Sequence, residues 1–245
     1  MSGLVLSVFP GIDLLGRAFE EEGFCIVRGP DRLWGGDIRQ FHPPFGVFSG
    51  VIGGPPCQGF SIANRHKSNG SLEYSLEMLA EFERVVQEAS PQWFLLENVR
   101  FIPTVTIADY IVSRFALNAR WIGMKQSRLR HFQFGSRFQS AYLDFGESVV
   151  LLESLEKDSC VTATEGGRGV RNNFRAGYER RRPWERVCEL QGMPPDFLKD
   201  APFTVKGKYI ALGNGVPLPM GRALAKAIKA RILTERSEGQ NEHWH

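Results

Sequence analysis

What most constrains this chain is a series of short apolar runs, several of them closed by glycine and proline. Leu4 to Phe9 runs into Pro10-Gly11, and Val47 to Ile52 runs into Gly53-Gly54-Pro55-Pro56-Cys57. Phe24 to Val27 and Trp93 to Leu96 are runs of the same kind, the second opening into Glu97-Asn98-Val99. Short apolar runs bounded by glycine and proline read as buried strands. Between them lie segments of helical period: Leu14, Leu15, Ala18 and Phe19 ahead of Gly23, then Leu76, Leu79, Phe82, Val85, Val86 and Ala89 ahead of Pro91. A further helix is expected around Ile107 to Phe115, followed by strand-like segments at Ala119 to Met124 and Arg130 to Phe134. This alternation from residue 4 to residue 134 predicts an α/β fold on a mostly parallel sheet.

Open parallel sheets bind ligands beyond the carboxyl ends of their strands. Pro10-Gly11, Asp37, Cys57 and Glu97 all follow predicted strands, so they are expected to share one rim. The two prolines before Cys57 cannot join a ladder, and they stiffen the turn that aims the cysteine. A thiolate attacks carbon where a thiol does not, so Cys57 matters chemically only if its surroundings favour ionisation and place an electrophile. Taken alone, a cysteine in such a turn is more often a small packed residue.

At 245 residues the chain can hold one main domain with a small lobe. Hydrophobic residues make up 42% and charged residues 23%, as in soluble domains, and no apolar run nears the ~20 residues of a membrane span. Met1 to Gly11 lacks a basic leader and reads as a first strand, not a secretion signal. Cys25, Cys57, Cys160 and Cys188 show no C-x-x-C spacing, so no metal site or disulfide framework is indicated and a reducing, cytoplasmic compartment is expected. The net charge of +3 is weak but uneven: Arg168, Arg171, Arg175, Arg180, Arg181 and Arg182 cluster against only Glu165 and Glu179. Periodicity weakens from Ser136 to Arg182. A last helix is expected over Pro219 to Leu233, and the polar residues from Thr234 read as a tail, disordered over 236–245.

Taken together, the motifs resemble those of the DNA cytosine-5 methyltransferases, in family order along nearly the whole chain. Phe9-Pro10-Gly11 resembles the cofactor loop, Gly36-Asp37-Ile38 the adenine contact, Pro55-Pro56-Cys57-Gln58 the nucleophile loop and Glu97-Asn98-Val99 the acid motif. Gln126-x-Arg128-x-Arg130 resembles the arginine motif, Leu190-Gln191-Gly192 with Pro194 a later structural motif, and Gly213-Asn214-Gly215-Val216-Pro217 the closing motif. Each tripeptide is weak alone; their joint order is specific.

The resemblance implies a class I S-adenosylmethionine-dependent, Rossmann-like mixed sheet with a small target-recognition lobe. It implies a catalytic domain over 1–135 and 198–235 and a recognition region over 136–197. The catalytic residues would be Cys57, Glu97, Arg128 and Arg130, with Glu97 raised in pKa by burial. S-adenosylmethionine would lie against Phe9, Gly11, Ile12, Asp31, Asp37, Ile38, Pro55, Asn214 and Val216. Double-stranded DNA would be met by Gln58, Ser61, Thr162, Arg168, Arg171 and Arg175, the protein acting as a monomer without metal or membrane. Some positions depart from the pattern. Asp13 stands where a second glycine is common, Ser7 where an acid is usual, Pro30 where the ribose-binding acid is expected with Asp31 next to it, and Glu185-Arg186 inverts an arginine-acid pair. The short recognition region suggests a short target sequence and a compact genome, such as that of a phage or prophage. Transfer RNA as substrate, or a non-catalytic DNA-binding relative, are the alternatives.

Overall fold

The computed structural model describes residues 3–57, 59–60, 69–138, 140–149, 158–163 and 182–241. Six strands, β1 (Leu4–Val8), β2 (Cys25–Arg28), β3 (Gly50–Gly53), β4 (Trp93–Asn98), β5 (Ile111–Asn118) and β6 (Leu129–Ser136), form one sheet in the order β2-β1-β3-β4-β6-β5. The first four are mutually parallel, and β6 runs antiparallel to both β4 and β5. The helices are α1 (Leu14–Glu21), α2 (Asn69–Ala89), α3 (Trp184–Gln191), α4 (Val205–Asn214) and α5 (Leu218–Asn241).

Alternate residues of the central strands point to opposite faces, and each face has its own core. Val5, Ile52, Trp93, Leu95, Phe132 and Phe134 pack with Leu15 and Phe19 of α1 and with Met220, Leu224 and Ile228 of α5. Leu6, Val8, Val51, Phe94 and Leu96 pack on the other face with Met78, Phe82, Val85 and Val86 of α2. Strands buried on both faces read as continuous apolar runs, which is why β1, β3 and β4 were legible, whereas β2 is an edge strand with Cys25 and Val27 exposed. A third cluster joins Leu14 and Ala18 of α1 to Val187 and Leu190 of α3 and to Tyr209 and Leu212 of α4.

Three expectations fail. The helix expected around Ile107 to Phe115 is absent: residues 101–110 are irregular and Ile111–Asn118 is a strand. Helix and strand propensities differ by only about 1 kcal/mol or less per residue, whereas each fully buried apolar side chain is worth roughly 1.5–3 kcal/mol. Pairing along β6, with Phe115 stacked on Phe132 at 5.6 Å, therefore decides the outcome. The strand-like stretch from Ala119 is instead a 3₁₀ turn, Ala119–Trp121, linking β5 to β6. The tail differs as well, since α5 continues past Leu233 to Asn241.

The strand order places the site. β2 and β3 leave β1 on opposite sides, so a crevice opens at the carboxyl ends of β1 and β3, where doubly wound sheets hold their ligands. The connection from β2 to β3 contains no α-helix, only the 3₁₀ turns Arg32–Trp34 and Ile38–Gln40. It lies across one end of that crevice as a short strap.

Candidate active site

The loop after β1 is conformationally demanding: Phe9, Gly11 and Asp13 have φ of 53°, 57° and 53°. Left-handed backbone costs a non-glycine residue about 1–2 kcal/mol, least for Asp and Asn. Asp13 offsets this with its side chain. Buried at 5% exposure, it accepts from Ser7 Oγ at 2.8 Å and from the Gly16 N–H at 3.1 Å, which caps α1, and it pairs with Arg28 Nε at 2.8 Å. Burial raises its pKa, against the pull of Ser7 and Arg28. Both departures from the pattern are explained together: the glycine-like position carries the carboxylate, and it turns back to the serine that stands in the acid's place.

The strap fixes the same loop from above. Asp31 caps the turn Arg32–Trp34, accepting from the Leu33 N–H at 2.7 Å, while its other oxygen accepts from the Gly11 N–H at 2.9 Å. Asp37 caps the next turn through the Arg39 N–H at 3.1 Å, beside the buried Ile38.

Across the crevice, the loop that carries Cys57 is tied down by its neighbours. Asn98 at the end of β4 donates from Nδ2 to the Pro55 carbonyl at 2.9 Å, the Phe60 N–H closes a turn on the Cys57 carbonyl at 3.0 Å, and the Gly59 N–H reaches Ser75 Oγ of α2 at 3.0 Å. Glu97, also from β4, pairs with Arg130 Nε at 3.1 Å. A Cβ at Gly54 would lie 3.0 Å from Glu97 Oε2, so a side chain there would press on the carboxylate. Burial raises the Glu97 pKa although Arg130 and Arg128 oppose it, so desolvation outweighs two cations. Burial also pushes the Cys57 thiol up, with the Glu97 charge adding to the rise and Arg130 and Arg128 working against it. The site is therefore short of negative charge it can tolerate: thiolate and carboxylate do not coexist easily.

Arg128 does something else. It is 1% exposed, and its guanidinium donates to the carbonyls of Val161, Gly213 (2.8 Å) and Gly215 (2.9 Å), with Cys160 Sγ at 3.4 Å. Burial, with the Arg130 charge beside it, brings it down to about 10. Gln126, fully buried, donates to the Leu190 carbonyl and to Gln191 Oε1 (3.0 Å) and accepts from the Val161 N–H (3.2 Å). Gln191 in turn reaches the Leu212 carbonyl at 2.6 Å. The arginine, late and closing motifs thus meet in one buried polar network. Gly213 admits the Thr162 backbone, whose carbonyl would lie 2.6 Å from a Cβ there. In the inverted charge pair, Arg186 bridges Asp158 and Glu189.

The two loop sets enclose one cleft of about 430 Å³. Of the expected residues, Phe9, Gly11, Ile12, Asp31, Asp37, Ile38, Pro55, Cys57, Glu97, Arg130 and Asn214 line it. Arg128 and Val216 do not: the guanidinium is tied to carbonyls behind the wall, and Val216 belongs to the core under α5. Thr162 is exposed beside Val161. Gln58, Ser61, Arg168, Arg171 and Arg175 lie outside the described residues. Tyr74 and Met78 of α2, and Phe203, Ile210 and Ala211 at α4, also line the cleft. Their sequence signal is that of ordinary packing residues, and only the packing of α2 and α4 against the crevice brings them there.

The same architecture occurs in the Entamoeba histolytica methyltransferase EhMeth, whose structure superposes with a TM-score of 0.66 over 95% of this chain and 99% of that one, at 12% identity. The fold is that of the α/β class I S-adenosylmethionine-dependent methyltransferases. A family model described as C-5 cytosine-specific DNA methylase matches residues 32–158, and the chain belongs to that family. Among curated relatives, the type II methyltransferase M.AquIA of Picosynechococcus sp. is 35% identical over 38% of this chain and 45% of its own length. M.DdeI of Desulfomicrobium norvegicum is 33% identical over 54% of this chain and 40% of its own. The chain thus matches less than half the length of these relatives.

Proposed function

We propose that this protein is a DNA cytosine-5 methyltransferase acting through a covalent cysteine adduct on an extruded cytosine. The reading is carried by the meeting of Cys57, Glu97 and Arg130 on one side of the cleft, continuous with the Phe9–Asp13 loop and the strap on the other. The left-handed glycine loop, the flanking Asp31 and Asp37 carboxylates and the apolar Ile38 fit an adenosyl amino acid. Bound there, S-adenosylmethionine supplies an electrophilic methyl group.

Cys57 as thiolate adds to carbon 6 of the ring, the sulfur–carbon bond forming as the 5,6 double-bond electrons move toward ring nitrogen 3. Glu97 in its protonated form donates to that nitrogen and steadies the charge. Carbon 5, now enamine-like, takes the methyl and leaves S-adenosylhomocysteine; loss of the carbon 5 proton to solvent, return of the nitrogen proton to Glu97 and departure of Cys57 as thiolate restore the ring. General acid help of this kind is typically worth about 10²–10⁴-fold. The competent state holds one proton on Glu97 and none on Cys57, the same count as a carboxylate beside a thiol. Internal relocation of one proton therefore activates the pair without taking charge from solvent. Arg130 favours the carboxylate form in the free site, and the base's carbonyl oxygen gives its guanidinium a competing acceptor.

A duplex shields its ring faces, so the base leaves the stack. We assign DNA backbone contacts to the arginine-rich 168–182 stretch within a recognition region over 136–197, and to the cationic rim where Arg100, Arg114 and Arg130 surround His131 and depress its pKa after burial. We place the activity in a reducing cytoplasm, in keeping with the four free cysteines. The decisive test is incubation with duplex DNA carrying 5-fluorocytosine, whose carbon 5 cannot release a proton. A denaturation-stable complex is expected with DNA and not with transfer RNA; methyl transfer to RNA alone sinks the DNA reading.

A further inference from the structure

We propose that Trp34 is a positioning residue for the methyl donor: from behind the cleft lining it fixes Gly11 and braces the strap against Phe203. The inference rests on the cofactor reading above and deepens it. Trp34 ends the 3₁₀ turn Arg32–Trp34, and its indole N–H donates to the Gly11 carbonyl at 2.7 Å. The Gly11 N–H donates to Asp31 of the same turn at 2.9 Å. Both backbone polar groups of the left-handed glycine are thus held by one strap. The other side of the indole meets Phe203, ring centroids 5.5 Å apart, and Phe203 lines the cleft just ahead of Thr204, the N-cap of α4. One side chain therefore ties together the loop after β1, the connection from β2 to β3, and the start of α4.

A packing role accounts poorly for this residue. Trp34 is 55% exposed and belongs to none of the core clusters. Large aromatic side chains are normally well buried, and one left half in solvent contributes little to folding. What its position does define is the shape of the cleft, because the strap also carries Asp31, Leu33 and Asp37 into the lining. The far end of the strap is anchored on α2, with Ile38 in its core and Arg84 donating to the Ile38 and Phe41 carbonyls; at the near end, Asp31 and Trp34 are what tie it to Gly11.

The test is isothermal titration of the full chain and its variants with S-adenosylmethionine and S-adenosylhomocysteine, with steady-state kinetics and thermal unfolding alongside. Trp34→Phe keeps a ring for Phe203 and loses the N–H, and should weaken cofactor binding about five-fold, the net worth of one hydrogen bond. Trp34→Ala should weaken it about ten-fold or more, raising KM for the cofactor while kcat and KM for DNA stay within about two-fold. Adding Phe203→Leu to Trp34→Ala should cost little beyond the worse single variant, because the two rings act as one contact. Unchanged cofactor affinity in Trp34→Phe and Trp34→Ala overturns the proposal, as does a loss that follows a lowered melting temperature or appears equally in KM for DNA. A wild-type protein that takes up neither ligand overturns the cofactor reading itself, and the role of Trp34 with it.

Discussion

The two sides of the cleft are built from the same residue types used in opposite ways. On the side proposed for the cofactor, the carboxylates of Asp13, Asp31 and Asp37 each accept a backbone N–H, so charge is turned into loop shape. On the side proposed for the base, burial raises the pKa values of both Glu97 and Cys57. One wall thus holds geometry, and the other holds a proton in a place that disfavours negative charge. Substitutions on the first wall should act on binding, and those on the second on turnover.

The largest effect expected is that of Cys57→Ser, which should lower turnover by on the order of 10⁴-fold or more and abolish the complex with 5-fluorocytosine DNA. Cofactor affinity by titration should stay near wild type; a large loss there would break the division between the walls. Glu97→Gln should lower turnover by about 10²–10³-fold. Its effect on stability sharpens the same point. A folded pKa raised above the ordinary 4.5 means that Glu97 contributes stability below that value and loses it as pH rises through the folded pKa. Urea unfolding of wild type should thus weaken over that window relative to Glu97→Gln.

Arg128→Ala is expected to cost about 3 kcal/mol or more of stability by urea unfolding, since the carbonyls of Val161, Gly213 and Gly215 lose a shared donor. Arg130→Ala should instead reduce turnover with a much smaller shift in the unfolding midpoint. Alkylation by iodoacetamide, followed by mass spectrometry, should be several-fold slower at Cys57 than at exposed Cys25, with the Cys57 rate still climbing beyond pH 9 because its pKa lies above the ordinary 9.0. The smallest effect is that of Asp37→Asn, for which a cofactor affinity about three-fold weaker is expected, because an amide oxygen still caps the turn.

Strands β1, β3 and β4 were legible because strands buried on both faces leave unbroken apolar runs. Pro10-Gly11, Asp37, Cys57 and Glu97 are expected on one rim because each follows a predicted strand. The antiparallel pair was not legible: Ile111 to Leu117 has half-buried residues whose pattern carries no clear period, and its pairing with β6 is decided by contacts remote in sequence. The two arginines show the same limit at single-residue scale. Gln126, Arg128 and Arg130 alternate as if on one strand face, but β6 begins only at Leu129. Arg130, inside the strand, reaches Glu97, whereas Arg128 precedes it and folds back into the polar network. The cleft residues supplied by α2 and α4 had no local signal, because their role arises only when distant helices close over the crevice.

The anchoring of Val161 by Gln126 and Arg128 carries a lesson for anyone re-engineering sequence preference. A graft that exchanges the segment beginning before Val161 would remove the backbone partner that Gln126 and Arg128 share, on the same network that holds Gly213 and Gly215 beside Asn214. If the recognition role proposed above holds, a splice after Thr162 would keep that anchor and exchange only the arginine-rich stretch.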